Sequence, residues 1–168
     1  MTAARAEMVA AIPQLRRYAR ALAGEAEAAD DLVQSVLARA LERLHQWRPG
    51  SDMRAWLFAI MHNLHANRVR AAAARPRLVP IEALAREPAV APSQEISAEA
   101  RRVVAALPLL PEDQRAAVLL VGLAGLAYAE AAAVLEIPVG TLMSRLHRGR
   151  ERLRILTGMA RDRSRGRR

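Results

Sequence analysis

The sequence contains neither cysteine nor lysine, and aromatic residues make up only 3% of its 168 positions. The absence of cysteine excludes disulfides, thiolate zinc sites and cysteine nucleophiles, which fits a reducing compartment. Few aromatic residues, together with abundant alanine, leucine and arginine, favour helices over strands. We therefore predict an all-α protein.

Long apolar runs are also missing. No stretch of about 18 consecutive apolar residues could cross a bilayer, and the N-terminus has no basic segment followed by an apolar one. The sequence thus predicts neither a membrane span nor a signal peptide, and we expect a cytoplasmic protein.

The positive charge is unevenly distributed. All 26 basic residues are arginine, and residues 145–168 hold ten of them against two acidic residues, whereas residues 1–144 hold sixteen against fifteen. Such a basic end attracts polyanions, either nucleic acid or anionic lipid. Composition alone does not choose between these two.

A proline-rich stretch separates two helical halves. Pro76, Pro80, Pro88 and Pro92 fall where no helical apolar period survives for more than a turn. We predict two small helical domains joined by a flexible linker. Their predicted bounds are 1–74 for the first domain, 75–97 for the linker, 98–160 for the second domain and 161–168 for a basic tail.

Apolar spacing in the first half predicts a three-helix core. The first helix ends at Gly24, the second carries Asp30 and Asp31 in its first turns, and Ser51 or Asp52 can cap the third. The predicted stripe of the second helix is Val33, Val36, Leu37, Ala40, Leu41 and Leu44; that of the third is Met53, Trp56, Leu57, Ile60, Met61 and Leu64. Core packing is the better interpretation of Trp56 because aromatic residues at helical spacing are usually buried.

The second half ends in a helix-turn-helix pattern. A short helix over 128–135, a tight connection over 136–138 and a long basic helix follow one another. On the last helix, Leu142, Leu146, Leu153 and Leu156 share the predicted core face. The residues off that face suit a DNA major groove, although a solvated basic face is the alternative. These residues are Thr141, Ser144, Arg145, His147, Arg148 and Arg152.

Several strings together resemble the extracytoplasmic-function sigma factors of bacterial RNA polymerase. In the second half these are Leu107-Pro108 with Gln114-Arg115, the segment 137–141, and the segment 144–148 with Arg150. In the first half they are the segment 29–34 and the segment 54–58 with Ile60 and Asn63. The resemblance covers about residues 10–157.

The resemblance implies two promoter-binding domains and a site for the polymerase core. Its sigma region 2-like domain would bind core through Asp30, Asp31, Leu32, Val33 and Gln34. The minus-ten DNA would be bound by Trp47, Arg48, Ser51, Asp52, Met53, Arg54, Asn63, Asn67 and Arg68. The region 4-like domain would place the last helix on the minus-thirty-five element. The resemblance further implies an anti-sigma partner, a role in a stress or envelope response, and no cofactor.

Three single positions and one segment depart from the family pattern. Met143 stands where a lysine is usual, Glu136 where the turn often has glycine, and Ala127 where a hydroxyl often caps the helix. Ala71–Ala74 replace a basic run. These departures predict weak promoter binding without polymerase.

Two other functions are compatible with parts of this sequence. A dimeric helix-turn-helix repressor would use the same last helix but would bind duplex DNA without polymerase. Catalysis would have to start from His62 and His65 or from scattered aspartates and glutamates, and the sequence offers no third metal ligand at helical spacing, no glycine-rich phosphate loop and no nucleophile elbow. We therefore predict neither an enzyme nor a metal site.

Overall fold

The computed structural model of the chain describes residues 2–74 and 97–158, and within them it contains helices and no β-strand. The helices are α1 (Thr2–Ala23), α2 (Ala26–Glu42), α3 (Met53–Ala74), α4 (Ala98–Ala106), α5 (Glu112–Val118), α6 (Tyr128–Val134) and α7 (Val139–Leu156). Short 3-10 turns occupy Leu44–Gln46 and Leu107–Leu109. The all-α prediction is confirmed. The predicted tail and nearly all of the predicted linker lie outside the described residues.

The first half is a three-helix bundle. Helix α1 ends immediately before Gly24, whose φ of +78° lies in the left-handed region and whose amide donates to the Arg20 carbonyl. The rings of Tyr18 and Phe58 meet edge to face at 5.0 Å and are fully buried. Aromatic packing between α1 and α3 therefore anchors the centre of this bundle.

The second half builds a helix-turn-helix on two supporting helices. The chain enters α5 after Pro111, widens into a π-helical turn at Leu119–Leu123, and bends at Gly125. Helix α6 is joined to α7 by a tight turn in which Glu136 has a φ of +54°. Glycine adopts that conformation without strain, which explains why the family pattern often has glycine there.

The two halves pack against each other. Helix α3 contacts α6, helix α1 contacts the π-helical turn, and the buried apolar residues of both halves form one continuous cluster. We call this contact the seam. It also contains polar groups: His62 and His65 of α3 lie within electrostatic reach of Glu112 on α5. The two regions predicted as separate domains thus share a core in this arrangement.

Candidate polymerase and promoter interfaces

The exposed side of α2 carries three of the five residues predicted to bind polymerase. The side chains of Asp30, Asp31 and Gln34 are exposed. Leu32 and Val33 are buried in the bundle, so the prediction that they contact polymerase directly needs correction. They alternate with the polar residues because an amphipathic helix turns about 100° per residue. Their role here is to hold the acidic side of α2 outward.

A compact loop joins α2 to α3 and contains the first residues of the predicted minus-ten site. Gly50 has a φ of +89°, and both the amide and the hydroxyl of Ser51 donate to the Arg48 carbonyl, at 3.0 and 2.7 Å. Trp47 is half-buried and packs against the core. The backbone turn therefore fixes the loop, while Arg48 remains exposed.

Asp52 begins α3 as a helix cap. Its Oδ1 accepts hydrogen bonds from the amides of Arg54 at 2.7 Å and Ala55 at 3.3 Å, and its Oδ2 pairs with the Arg54 guanidinium at 3.2 Å. Partial burial opposes ionisation, but these hydrogen bonds outweigh it and lower the pKa of Asp52. Asp52 and Arg54 thus hold each other at the edge of the loop. Of the two caps that the sequence allowed, the structure shows Asp52.

The start of α3 divides into core and surface residues. Met53 is buried, so the prediction that it contacts DNA directly needs correction, and its side chain instead seats the loop on the bundle. Trp56 is half-buried and packs against the core, as predicted.

The remaining minus-ten residues lie further along the same helix. Asn63, Asn67 and Arg68 are exposed on α3. Arg68 Nη2 donates to Ser35 Oγ of α2 at 2.7 Å, and Arg70 Nη2 donates to Asn67 Oδ1 at 2.7 Å. Arg68 lies 14 residues beyond Arg54, which is about 20 Å at 1.5 Å per helical residue. The predicted site is therefore a strip along α3 rather than one pocket.

Helix α7 has a core face and an opposite exposed face. Leu142, Leu146, Gly149 and Leu153 are buried. Leu156 is exposed, so its predicted place on the core face was wrong. Ser144, His147, Arg148 and Arg152 are exposed as predicted, and Thr141 is half-buried.

Arg145 differs from the other predicted DNA contacts on α7. Its Nε lies 3.3 Å from Oδ2 of Asp113 on α5, and its side chain is only 28% exposed. Arg148 instead stays within α7, where its Nε donates to the Ser144 carbonyl at 3.3 Å. One arginine therefore joins two helices, and the other remains on the outer face.

Three residues that support these surfaces were missed from the sequence. Asp113 holds Arg145, Ser35 accepts from Arg68, and Gly149 lets α7 approach α5 closely. A Cβ at Gly149 would lie 2.8 Å from Cγ2 of Val118. Only the glycine carried a signal, since a glycine within a helix costs stability and usually has a packing reason.

The described residues contain no cluster of metal-ligating side chains and no membrane-spanning helix. Over 2–74 and 97–158 no group of three or more His, Cys, Asp or Glu side chains could hold a metal ion. No helix in these ranges is long and apolar enough to cross a membrane.

Comparison with known proteins gives matches across both halves. The family model for the sigma2 domain of PhyR matches residues 8–62, and that for sigma-70 region 4 matches residues 100–153. The chain is 42% identical to the ECF RNA polymerase sigma factor EcfG of Rhodopseudomonas palustris, over 90% of this chain and 83% of the relative.

Solved structures agree with the sequence matches. The sigma factor RpoE from Bartonella quintana, solved with the anti-sigma factor NepR, is 32% identical with a TM-score of 0.81, covering 96% of this chain and all of that one. CnrH, solved with the cytosolic domain of CnrY, is 26% identical with a TM-score of 0.69, over 95% of this chain and 90% of that one. Both halves and their order thus match one kind of transcription factor, and the chain belongs to the extracytoplasmic-function sigma factors of bacterial RNA polymerase.

Proposed function

We propose that the chain docks on RNA polymerase core through the exposed side of α2 and reads promoters with two separate surfaces. The loop after α2 and the exposed strip of α3 serve the minus-ten element, and the outer face of α7 serves the minus-thirty-five element. The observation that carries this assignment is the geometry of α7, a basic helix whose outer side chains are exposed among the described residues while its inner face closes a helix-turn-helix. The domain bounds at 74 and 98 and the linker between them are part of the proposal.

The acidic side of α2 suits a protein partner better than DNA. Asp30 and Asp31 would repel phosphates, whereas the α3 strip and α7 expose arginines. The surface proposed for polymerase and the surfaces proposed for the promoter therefore differ in charge.

An anti-sigma factor is the second partner that we propose. RpoE and CnrH were each solved with a protein partner, in one case the anti-sigma factor NepR. The likeness to RpoE over 96% of this chain supports control by a NepR-like protein, with release in a stress or envelope response. We further propose that the protein acts in the cytoplasm, without catalytic chemistry or a cofactor.

In-vitro transcription with polymerase core and genomic promoter fragments tests the function. We expect promoter-specific transcripts only when both the chain and core are present. Tight binding of duplex DNA by the chain alone, with no transcripts in the presence of core, would instead show a repressor.

The docking surface has its own test. Asp31→Arg should weaken core binding without changing helicity, and Glu7→Arg, which reverses an exposed acid on α1, is the matched control. If both variants bind core with equal affinity, Asp31 is not part of the interface.

A further inference from the structure

A large apolar side chain interrupts the polar outer face of α7. Met143 is 51% exposed, and its exposed neighbours on that face are Ser144, His147 and Arg148. Positions 143 and 144, then 147 and 148, recur one helical turn apart, and all four side chains are exposed, whereas Leu142 and Leu146 are buried. Met143 therefore lies among the side chains that would meet DNA.

Met143 also lies in the N-terminal part of α7, and the same motif exposes further apolar side chains. Val139 is one turn earlier on α7, and Tyr128 begins α6; both are partly exposed. The N-terminal residues of the second helix of this motif contact base edges in the major groove. The apolar feature in that groove is the C5 methyl group of thymine.

We infer that Met143 contacts a thymine methyl group in the minus-thirty-five element and makes the protein favour thymine at that position. This inference rests on the proposed role of α7. A thioether chain with three rotatable bonds can adapt to a methyl group, and it offers neither a donor nor a positive charge to guanine or phosphate. Arg148 supplies charge on the same face, so Met143 adds base preference rather than general affinity.

Replacing thymine by deoxyuridine removes only the methyl group and tests this contact. The protein is assembled with polymerase core, and each thymine on either strand of the minus-thirty-five element is replaced in turn. Wild-type holoenzyme should lose about fourfold in affinity at one position, the amount expected for one buried methyl group. Met143→Ala should bind both duplexes equally, and Met143→Leu should restore the difference.

Ile155→Ala is the matched control, because Ile155 is an exposed apolar residue at the other end of α7. This variant should keep the wild-type preference for thymine. Equal wild-type affinity for thymine and uracil at every position, or an unchanged preference in Met143→Ala, would overturn the inference. If the affinity of the wild-type holoenzyme does not change when the sequence of the whole minus-thirty-five element is scrambled, the proposed role of α7 is overturned instead.

Discussion

Arg145 and Arg148 lie one turn apart on α7 but have different surroundings. Composition alone makes both of them candidates for contact with DNA, whereas their surroundings distinguish a structural role from a binding role. Arg145 is mostly covered and paired with Asp113 of α5, whereas Arg148 lies on the outer face. The ion pair with Asp113 offsets much of the Arg145 charge within the protein. Arg148 is therefore the better candidate for direct contact with DNA.

Alanine substitutions should separate these roles. Arg148→Ala should leave the midpoint of thermal unfolding unchanged and weaken promoter binding by the holoenzyme. If Arg148 reads a base, the variant should lose about 1–3 kcal/mol of binding free energy and show a relaxed preference at one promoter position. If Arg148 binds phosphate, the slope of log affinity against log salt concentration should be lower by about one. Arg145→Ala should lower the free energy of unfolding by up to about 1 kcal/mol, because its ion pair is only partly shielded from solvent. Identical effects of the two variants on stability and on binding would contradict this division.

Gly149 is a position where one added carbon has a structural cost. Gly149→Ala would place a Cβ 2.8 Å from Val118 Cγ2 and 3.2 Å from the Gln114 carbonyl oxygen. We expect a loss of about 1–3 kcal/mol in the free energy of unfolding, measured in urea, because α5 and α7 must move apart. Gly140→Ala is the control within the same helix. Its Cβ meets nothing within 4 Å, and it should stabilise the protein by about 0.5–1 kcal/mol. Equal effects at both glycines would show that the close approach does not matter.

At the scale of helices, α3 depends on its N-terminal cap. Asp52→Ala leaves the amides of Arg54 and Ala55 without their acceptor and should cost about 1 kcal/mol of unfolding free energy. The folded pKa of Asp52 is lowered, so the stability from its ionised form is present above pH about 4 and is lost as the pH falls through the folded pKa. Urea denaturation of wild type and variant from pH 7 to pH 3 measures this difference. A gap between the two proteins that stays constant down to pH 3 would contradict a role for the ionised carboxylate.

Most helix boundaries could be predicted because they depend on local signals. Gly24 ends α1, Asp52 begins α3, and Pro111 precedes α5. The π-helical turn was not predicted, because the spacing of Leu119–Leu123 also fits an ordinary α-helix. Leu41 was expected in the α2 stripe but is exposed, beside an open apolar groove that also includes Val9 of α1. Periodicity shows which side of a helix is apolar, but not how far its neighbour covers that side.

The sequence predicted some residues of the candidate interfaces better than others, again because helix periodicity does not show how neighbouring helices pack. Sequence pattern placed Ser144, His147 and Arg148 correctly on the outer face of α7, since helix periodicity decides that. It did not show that Arg145 pairs with Asp113, because the two are 32 positions apart and meet only after α5 and α7 pack. For the same reason it assigned the buried Leu32, Val33 and Met53 to binding surfaces.

At the scale of the molecule, the seam between the halves combines apolar packing with buried polar atoms that make no hydrogen bond among the described residues. His62 Nδ1, His65 Nε2 and Arg115 Nε are buried without a hydrogen bond among the described residues. Such groups cost free energy when they are removed from water. The sequence could not predict this contact, since the segment between the halves carries no signal of how they meet.

The two seam histidines should make the closed arrangement sensitive to acid. Burial lowers the pKa of both rings. Glu112 opposes this effect at each ring, and Glu136 also opposes it at His62, whereas Arg115, His62 and Arg68 further lower the pKa of His65. A lowered folded pKa means that the neutral rings stabilise the closed form above pH about 6.5 and that this contribution is lost as the pH falls through the folded pKa values. The radius of gyration from small-angle X-ray scattering should rise between pH 7.5 and pH 5.5.

Glutamine variants provide the control for this experiment. The double variant His62→Gln, His65→Gln should not show the rise, whereas His147→Gln, at an exposed position on α7, should behave as wild type. A radius of gyration that stays constant in wild type, or that rises equally in the double variant, would exclude the histidines as the cause.

The seam also weakens the binding of every partner that can bind only when the two halves are apart, because breaking the seam costs free energy. For such a partner the apparent dissociation constant is the intrinsic one divided by the fraction of molecules already open. With about 1% of free molecules open, binding is about a hundredfold weaker than the contacts alone would give. A substitution that weakens the seam would therefore tighten binding to that partner although the substituted residue does not contact the partner. A substitution that provides hydrogen bonds to the buried polar groups of the seam would weaken that binding.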